Sequence, residues 1–458
     1  MTRDQAIAHA EEQFDSGAFR ETLGRRIAIQ TDSQNDERCG NLARYLDHEL
    51  IPEFQAMGFE TRVLRHEKAR GPFLFAQRIE DPGAKTVLGY GHGDVIPGLD
   101  AGWKEGLSPW SLTEVDGHWF GRGVADNKGQ HSINFAAMRA VLETRGYLGF
   151  NAKFLIEMGE ETGSPGLREI CSKNSELFAA DLFLASDGPR LVASRPTIFL
   201  GARGAFPLDL TIEAREGGHH SGNWGGLLSN PGLQLAHAIA SLVGPTGQIR
   251  VPDLAPNEIP LAIREILADC AIEAEPGAPA IDPWWGEPGL SASEKVFGWS
   301  NFEVLAFETG TPATPVNAIP PRAWALCQLR YVVGVEPDNV IPAIRRHLQR
   351  QGFGYVQVEK ARDEVFKATR LDPANPWVSW AAASIEKTTG KRPAVLPNLG
   401  GALPNDIFSE ILGLPTIWVP HSNRGCSQHA PNENVPASLI REALAIMAGL
   451  YWDLGADA

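Results

Sequence analysis

Apolar residues follow two different periodicities along the first 200 positions of the chain. Between 40 and 57 they recur at helical spacing, with Leu42, Tyr45, Leu46, Leu50 and Phe54 on one face. Between 129 and 143, Ile133, Phe135, Ala136, Met138, Val141 and Leu142 mark a second helix. Three short continuous apolar runs, at 86–90, 152–158 and 181–186, have the length and texture of buried strands. Alternation of strand and helix predicts an α/β fold built on a mostly parallel sheet with helices on both faces.

Near residue 204 the pattern changes. AFPLDLTIEAR alternates like a half-buried strand, 233–243 reads as a helix, and a proline-rich stretch fills about 250–300. A strand at 325–333 and a helix at 339–351 follow. This predicts a smaller α+β domain inserted into the first. From about 375 the pattern of the first 200 residues returns as a helix, the buried strand LPTIWVP and a final helix over 437–452. The expected organisation is one discontinuous domain, 1–203 with 373–458, interrupted by an insert at 204–372. No internal repeat is visible.

Composition narrows the picture. At 458 residues, with 43% hydrophobic and 21% charged side chains, the chain is ordinary globular material. Its 41 basic and 56 acidic residues leave a net charge of -15, which repels a phosphate backbone, so nucleic acid is not an expected partner. The five cysteines, Cys39, Cys171, Cys270, Cys327 and Cys426, are scattered and form no CxxC pair. Neither a disulfide framework nor a thiolate zinc site is expected. The N-terminal residues show no basic segment leading into an apolar one, and no run approaches the ~18 apolar residues of a membrane span. The expectation is a cytoplasmic protein with no membrane attachment.

Chemistry-bearing side chains gather where the predicted strands end. The run at 86–90 leads into GHGDVIP, with His92 and Asp94. The run at 152–158 leads into GEETGS, with Glu160 and Glu161, and the run at 181–186 ends on Asp187. Open parallel sheets bind ligands beyond the carboxyl ends of their strands. Asp126, in GRGVADNKG just before a helix, and His429, in SQHAPNE after the late strand, can reach the same edge. Taken singly, each residue has a plain structural use: Asp126 as a helix cap, Glu160–Glu161 as a solvated pair, a strand-end histidine as a hydrogen-bonding group. Taken together, a set of carboxylates at one edge repels itself unless cations are present, and mixed histidine and carboxylate donors suit zinc or a similar ion.

In their order along the chain, GHGDVIP, GRGVADNKG, GEETGS, SDG and SQHAPNE resemble the metal-ligand motifs of the dinuclear zinc peptidase family. That family includes carnosinase, aminoacylase, acetylornithine deacetylase and succinyl-diaminopimelate desuccinylase. The resemblance runs from about residue 20 to the end of the chain. It implies two divalent ions, zinc foremost with manganese or cobalt as alternatives, and a small-molecule substrate whose amide bond is hydrolysed. It implies that Asp126 bridges the ions, that His92 and Asp187 complete one site, and that Glu161 and His429 complete the other. Asp94 would orient His92, Glu160 would act as general base, and the peptide bond after Asp126 would be cis.

The same resemblance gives the insert a lid or dimerisation role in a homodimer. GGHHSGNWGG, at 217–226, is similar to the family's His-Ser-Gly motif, which places His220 as an oxyanion donor that often serves the partner subunit. Asn317 in PVNAIP and Arg330 in CQLRYVV match positions that hold a substrate carboxylate, and Gly401 of the Gly400–Gly401 pair would let backbone approach the substrate. VLPNLGGALP lacks the arginine that carnosinase-like relatives carry shortly before the glycine pair. Asp187, where aminoacylase-like members tend to have Glu, and the long 250–300 stretch with Trp284 and Trp285 point instead to the carnosinase-like branch.

Dipeptides and N-acyl amino acids both remain open as substrates, and a binding protein that kept the fold without the chemistry remains the reading from another class. A dinucleotide enzyme fits poorly, because Gly89, Gly91 and Gly93 give GxGxG rather than GxGxxG. No GxSxG elbow and no HExxH pair occur.

Overall fold

The structure, a computed structural model, describes residues 1–272, 279–362 and 365–456. Its largest sheet has eight strands. In spatial order they are Glu60–Leu64, Phe73–Arg78, Asn151–Glu157, Thr86–His92, Leu182–Ala185, Thr416–Trp418, Thr197–Phe199 and Ala394–Leu396. The four central strands, Asn151–Glu157 through Thr416–Trp418, run parallel to one another. Antiparallel pairings are confined to the two strands at the Glu60 edge and to the contact between Thr416–Trp418 and Thr197–Phe199.

Successive residues of a strand point to opposite faces, so each central strand feeds two cores. Val87, Phe154, Leu182 and Leu184 pack into one with the helices Arg3–Asp15, Lys128–Arg145, Pro376–Thr389 and Ala437–Leu454. Leu88, Tyr90, Leu155 and Phe183 pack into the other, under Leu167, Phe178, Phe408 and Trp418. Helix Lys128–Arg145 is buried on nearly every side and lies against the strand that carries His92. Its approach explains one glycine, and a neighbouring strand explains another. A Cβ on Gly91 would stand 2.7 Å from the Cβ of His131, and one on Gly89 would stand 2.2 Å from a ring carbon of Phe154. The GxGxG spacing is therefore a packing feature.

The second sheet is antiparallel, with Asn301–Thr309, Arg322–Tyr331, Gly204–Glu213 and Gln357–Lys360 side by side. Its core is closed by the helices Pro231–Leu242 and Pro337–Arg350. The proline-rich stretch between these elements behaves differently. It contains the helix Leu261–Ala268, and Ile259, Ile263, Leu267, Cys270 and Phe297 join the core of the large sheet. Part of the sequence between 204 and 372 thus packs with the larger unit.

Four strands of the large sheet do not stand out in the sequence: Glu60–Leu64, Phe73–Arg78, Ala394–Leu396 and Thr197–Phe199. The first shows mostly exposed side chains, and the third is too short to carry a period. Among the described residues, no helix is long and apolar enough to cross a membrane.

Candidate metal centre

The strand Thr86–His92 delivers His92 fully buried at its carboxyl end, and Asn151–Glu157 and Leu182–Ala185 end beside it. Asp126 sits one residue before the cap of helix Lys128–Arg145, and its peptide bond to Asn127 is cis. These elements bring two groups of three donors together. In one, ligand atoms of His92, Asp126 and Asp187 lie within 4.8 Å of one another; in the other, those of Asp126, Glu161 and His429 do. Asp126 belongs to both. Its Oδ1 is 2.9 Å from His92 Nε2, and its Oδ2 is 3.0 Å from His429 Nε2. His92 Nε2 also faces Asp187 at 3.5 Å, and His429 Nε2 faces Glu161 at 3.1 Å. His429 adopts a left-handed backbone, φ 60°, which turns its ring back toward Asp126.

Asp94 ties the two halves of the site together. The other ring nitrogen of His92 is 3.1 Å from the Asp94 carbonyl oxygen and 3.4 Å from its carboxylate. That carboxylate accepts the backbone N–H groups of Glu160, at 3.1 Å, and Glu161, at 3.2 Å. One buried acid thereby orients a histidine and the loop that carries the Glu160–Glu161 pair.

The sequence gives no role at the site to five neighbours. Glu433, fully buried, accepts N–H groups from Gly123, Ala125 and Asp126 and pairs with Arg122 at 2.8 Å, so it fixes the loop that presents Asp126. Gln428 donates to Asp126 Oδ2 at 2.5 Å. Behind the site, Tyr45, His131 and Asn127 form a hydrogen-bonded chain, 2.7 and 3.1 Å, ending on the carbonyl of Ser186. Glu433 and Gln428 both lie inside or next to the SQHAPNE motif, and that proximity is the one signal the sequence offers for them.

Electrostatics match the geometry. Burial raises Glu161 to about 7, reinforced by the Asp126 charge, and the same two causes raise Asp187. Burial also lifts Glu160 well above the usual carboxylate range, against the pull of His92 and with the push of Glu161. Hydrogen bonds from Asp126 and Glu161 carry His429 up to about 11. Burial works against a charged His92, but its bonds to Asp126, Asp187 and Asp94 outweigh burial and raise it. Glu160, Glu161 and Asp187 resist charging and the two histidines attract protons, which marks a place built for positive charge. Two imidazoles with three carboxylates fit divalent ions with mixed nitrogen and oxygen preference.

A cleft of about 450 Å³ opens over this cluster, bounded by Asp126, Glu160, Asp187 and His429. Arg330 and Gly401 face the same cleft. His220 and Asn317 do not line it; they sit together on an exposed ribbon, where Ser221 N–H donates to the Asn317 carbonyl at 2.9 Å and His220 pairs with Ala318. Gly222 N–H donates to His220 Nδ1 at 3.1 Å, which leaves the ring proton on Nε2 and that nitrogen as a donor.

Residues 88–453 match the model of peptidase family M20/M25/M40, and the chain belongs to that family. It is 35% identical to a mouse protein named Beta-Ala-His dipeptidase, over 95% of this chain and 88% of the mouse protein. To the human protein of that name it is 26% identical, over 95% of this chain and 86% of the relative. The crystal structure of human carnosine dipeptidase 1 superposes with a TM-score of 0.81 at 24% identity, covering 99% of both chains. The motif resemblance and the expected α/β fold are borne out, and the chain is a metallohydrolase of peptide or amide bonds.

Proposed function

We propose that the protein hydrolyses the amide bond of a small substrate, a dipeptide or a related N-acyl amino acid. The observation that carries this reading is Glu160, set beside two donor triads that share Asp126 at the floor of one cleft. In this reading His92, Asp126 and Asp187 hold one ion, and Asp126, Glu161 and His429 hold the other. Two divalent ions, zinc or in its place manganese or cobalt, supply Lewis acidity that lowers the pKa of water from about 15.7 toward ~7 and polarises a carbonyl.

Glu160 takes the proton from the attacking water and returns it to the departing nitrogen. Arg330 holds a substrate carboxylate, and Gly401 admits backbone close to the substrate. Asp94 keeps His92 and the Glu160 loop in register. The similarity to proteins named as dipeptidases favours a dipeptide over an N-acyl amino acid.

His220, exposed and carrying its free proton on Nε2, is read as the oxyanion donor for a second copy of the chain, with Asn317 beside it. The unit 1–203 with 373–458 then carries the metals, and 204–372 acts as lid and dimer contact. Five free cysteines fit a reducing, cytoplasmic setting.

A panel of dipeptides and N-acyl amino acids, assayed with zinc, manganese and cobalt, tests the reaction. Turnover that vanishes in Glu160→Gln supports it; full turnover in that variant removes Glu160 from its role. Mixing Glu160→Gln with His220→Ala, each inactive alone, is expected to restore part of the activity through mixed dimers. No recovery on mixing contradicts the exchange of His220 between subunits.

A further inference from the structure

A second cavity of about 550 Å³ adjoins the metal cleft, and the two share Val296 and Arg424 in their walls. Each is of a size that takes a small ligand. Arg203, Trp299 and Ser300 line the second, and among the described residues Arg203 Nε, Trp299 Nε1 and Ser300 Oγ are buried without a partner. Arg203 and Ser300 are only 4% and 5% exposed. Guanidinium and indole N–H groups donate and never accept, so these buried atoms call for an acceptor. Of the three acids in its walls, Glu287 accepts from Gln248, Glu303 accepts from Asn301, and Asp282 is exposed.

Arg424 stands at the junction, exposed, with no ion pair or side-chain hydrogen bond among the described residues. Arg330, which also lines the first cleft, has a buried terminal nitrogen with no partner among the described residues. Two uncommitted arginines facing one cleft are unexpected in a chain with a charge of -15.

We propose that the substrate carries a distal carboxylate besides the one held at Arg330, and that Arg424 receives it at the mouth of the second chamber. This rests on the amide-hydrolase reading of the first cleft. Arg424 is then a specificity residue: its planar fork donates two charge-assisted hydrogen bonds to a carboxylate, and the chamber accommodates the chain that carries it.

The test uses matched substrates in which only the distal charge differs: Ala-Glu against Ala-Gln on the amine side, and N-glutaryl-alanine against N-pentanoyl-alanine on the acyl side. With the metal-loaded enzyme, the acidic member of at least one pair is expected to be favoured about tenfold in kcat/KM. Arg424→Ala is expected to collapse that ratio toward one, and Arg424→Lys to retain part of it. No acidic preference in either pair, or a preference that survives Arg424→Ala, overturns the proposal. Calorimetry with glutarate separates this from failure of the hydrolase reading. If no substrate is cleaved, the hydrolase reading fails, and the chamber is still decided by whether Arg424→Ala weakens glutarate binding about tenfold or leaves it unchanged.

Discussion

Glu160 and Asp94 make different demands on the chemistry at the level of single residues. In the proposed reaction Glu160 moves a proton, so Glu160→Gln is expected to lower kcat by about 10²–10⁴-fold while metal content stays at the wild-type level. Near wild-type turnover would assign the base to another group. Asp94 acts through His92 and through the backbone of Glu160 and Glu161. Asp94→Asn is accordingly expected to weaken metal affinity by about 10–100-fold, measured by competition with a chelator, and unchanged affinity would show that it orients nothing.

A third residue bears on pH. Burial lifts Glu157 from 4.5 to about 7, while Tyr90 and Ser164 donate to one of its oxygens. Between those two pH values the folded protein keeps a proton that the unfolded chain has released. The contribution of Glu157 is full below the lower value and is lost as pH rises through the upper one. In chelator-treated protein, the Tm of Glu157→Gln relative to wild type should therefore climb across that window and level off above it. A difference that stays constant with pH would contradict a protonated Glu157.

The secondary-structure elements show which parts of the design a sequence reveals. Each central strand ends in a candidate ligand or in the loop that carries one, and its apolar run is short, continuous and buried. His92, Glu161 and Asp187 are readable for that reason. Asp126 and His429 are less directly legible, because each sits in a loop rather than at a strand end. Glu433 is hidden, since an acid in a polar loop looks solvated until the fold closes over it and presents three N–H groups. The helix Leu261–Ala268 is hidden by its proline-rich surroundings, and its attachment to the large sheet is a tertiary fact that no local pattern encodes. Leu267 is 2% exposed in that contact, so Leu267→Ala should cost about 2–5 kcal/mol in urea unfolding. A loss within about 0.5 kcal/mol, as for a surface change, would mean that the helix does not belong to the main core.

At the scale of the whole molecule, one sheet edge collects donors from stretches of chain spread between residues 92 and 429. The antiparallel sheet of the insert supplies Arg330 to the same cleft, and the insert carries His220 on its outer ribbon. What the sequence pattern could not give is how these surfaces meet, since the unpaired Arg424 and the adjoining chamber arise only when distant loops close on one another.

The shared carboxylate of Asp126 is the feature on which the catalytic reading depends, and metal stoichiometry by elemental analysis tests it most directly. Wild-type protein loaded with zinc and desalted is expected to retain about two ions per chain. His429→Ala is expected to keep the ion at His92 and Asp187, and Asp126→Ala to lose both, with amide hydrolysis disappearing in parallel. Wild-type protein without bound metal, or Asp126→Ala with undiminished metal and activity, would contradict a dinuclear centre bridged by Asp126.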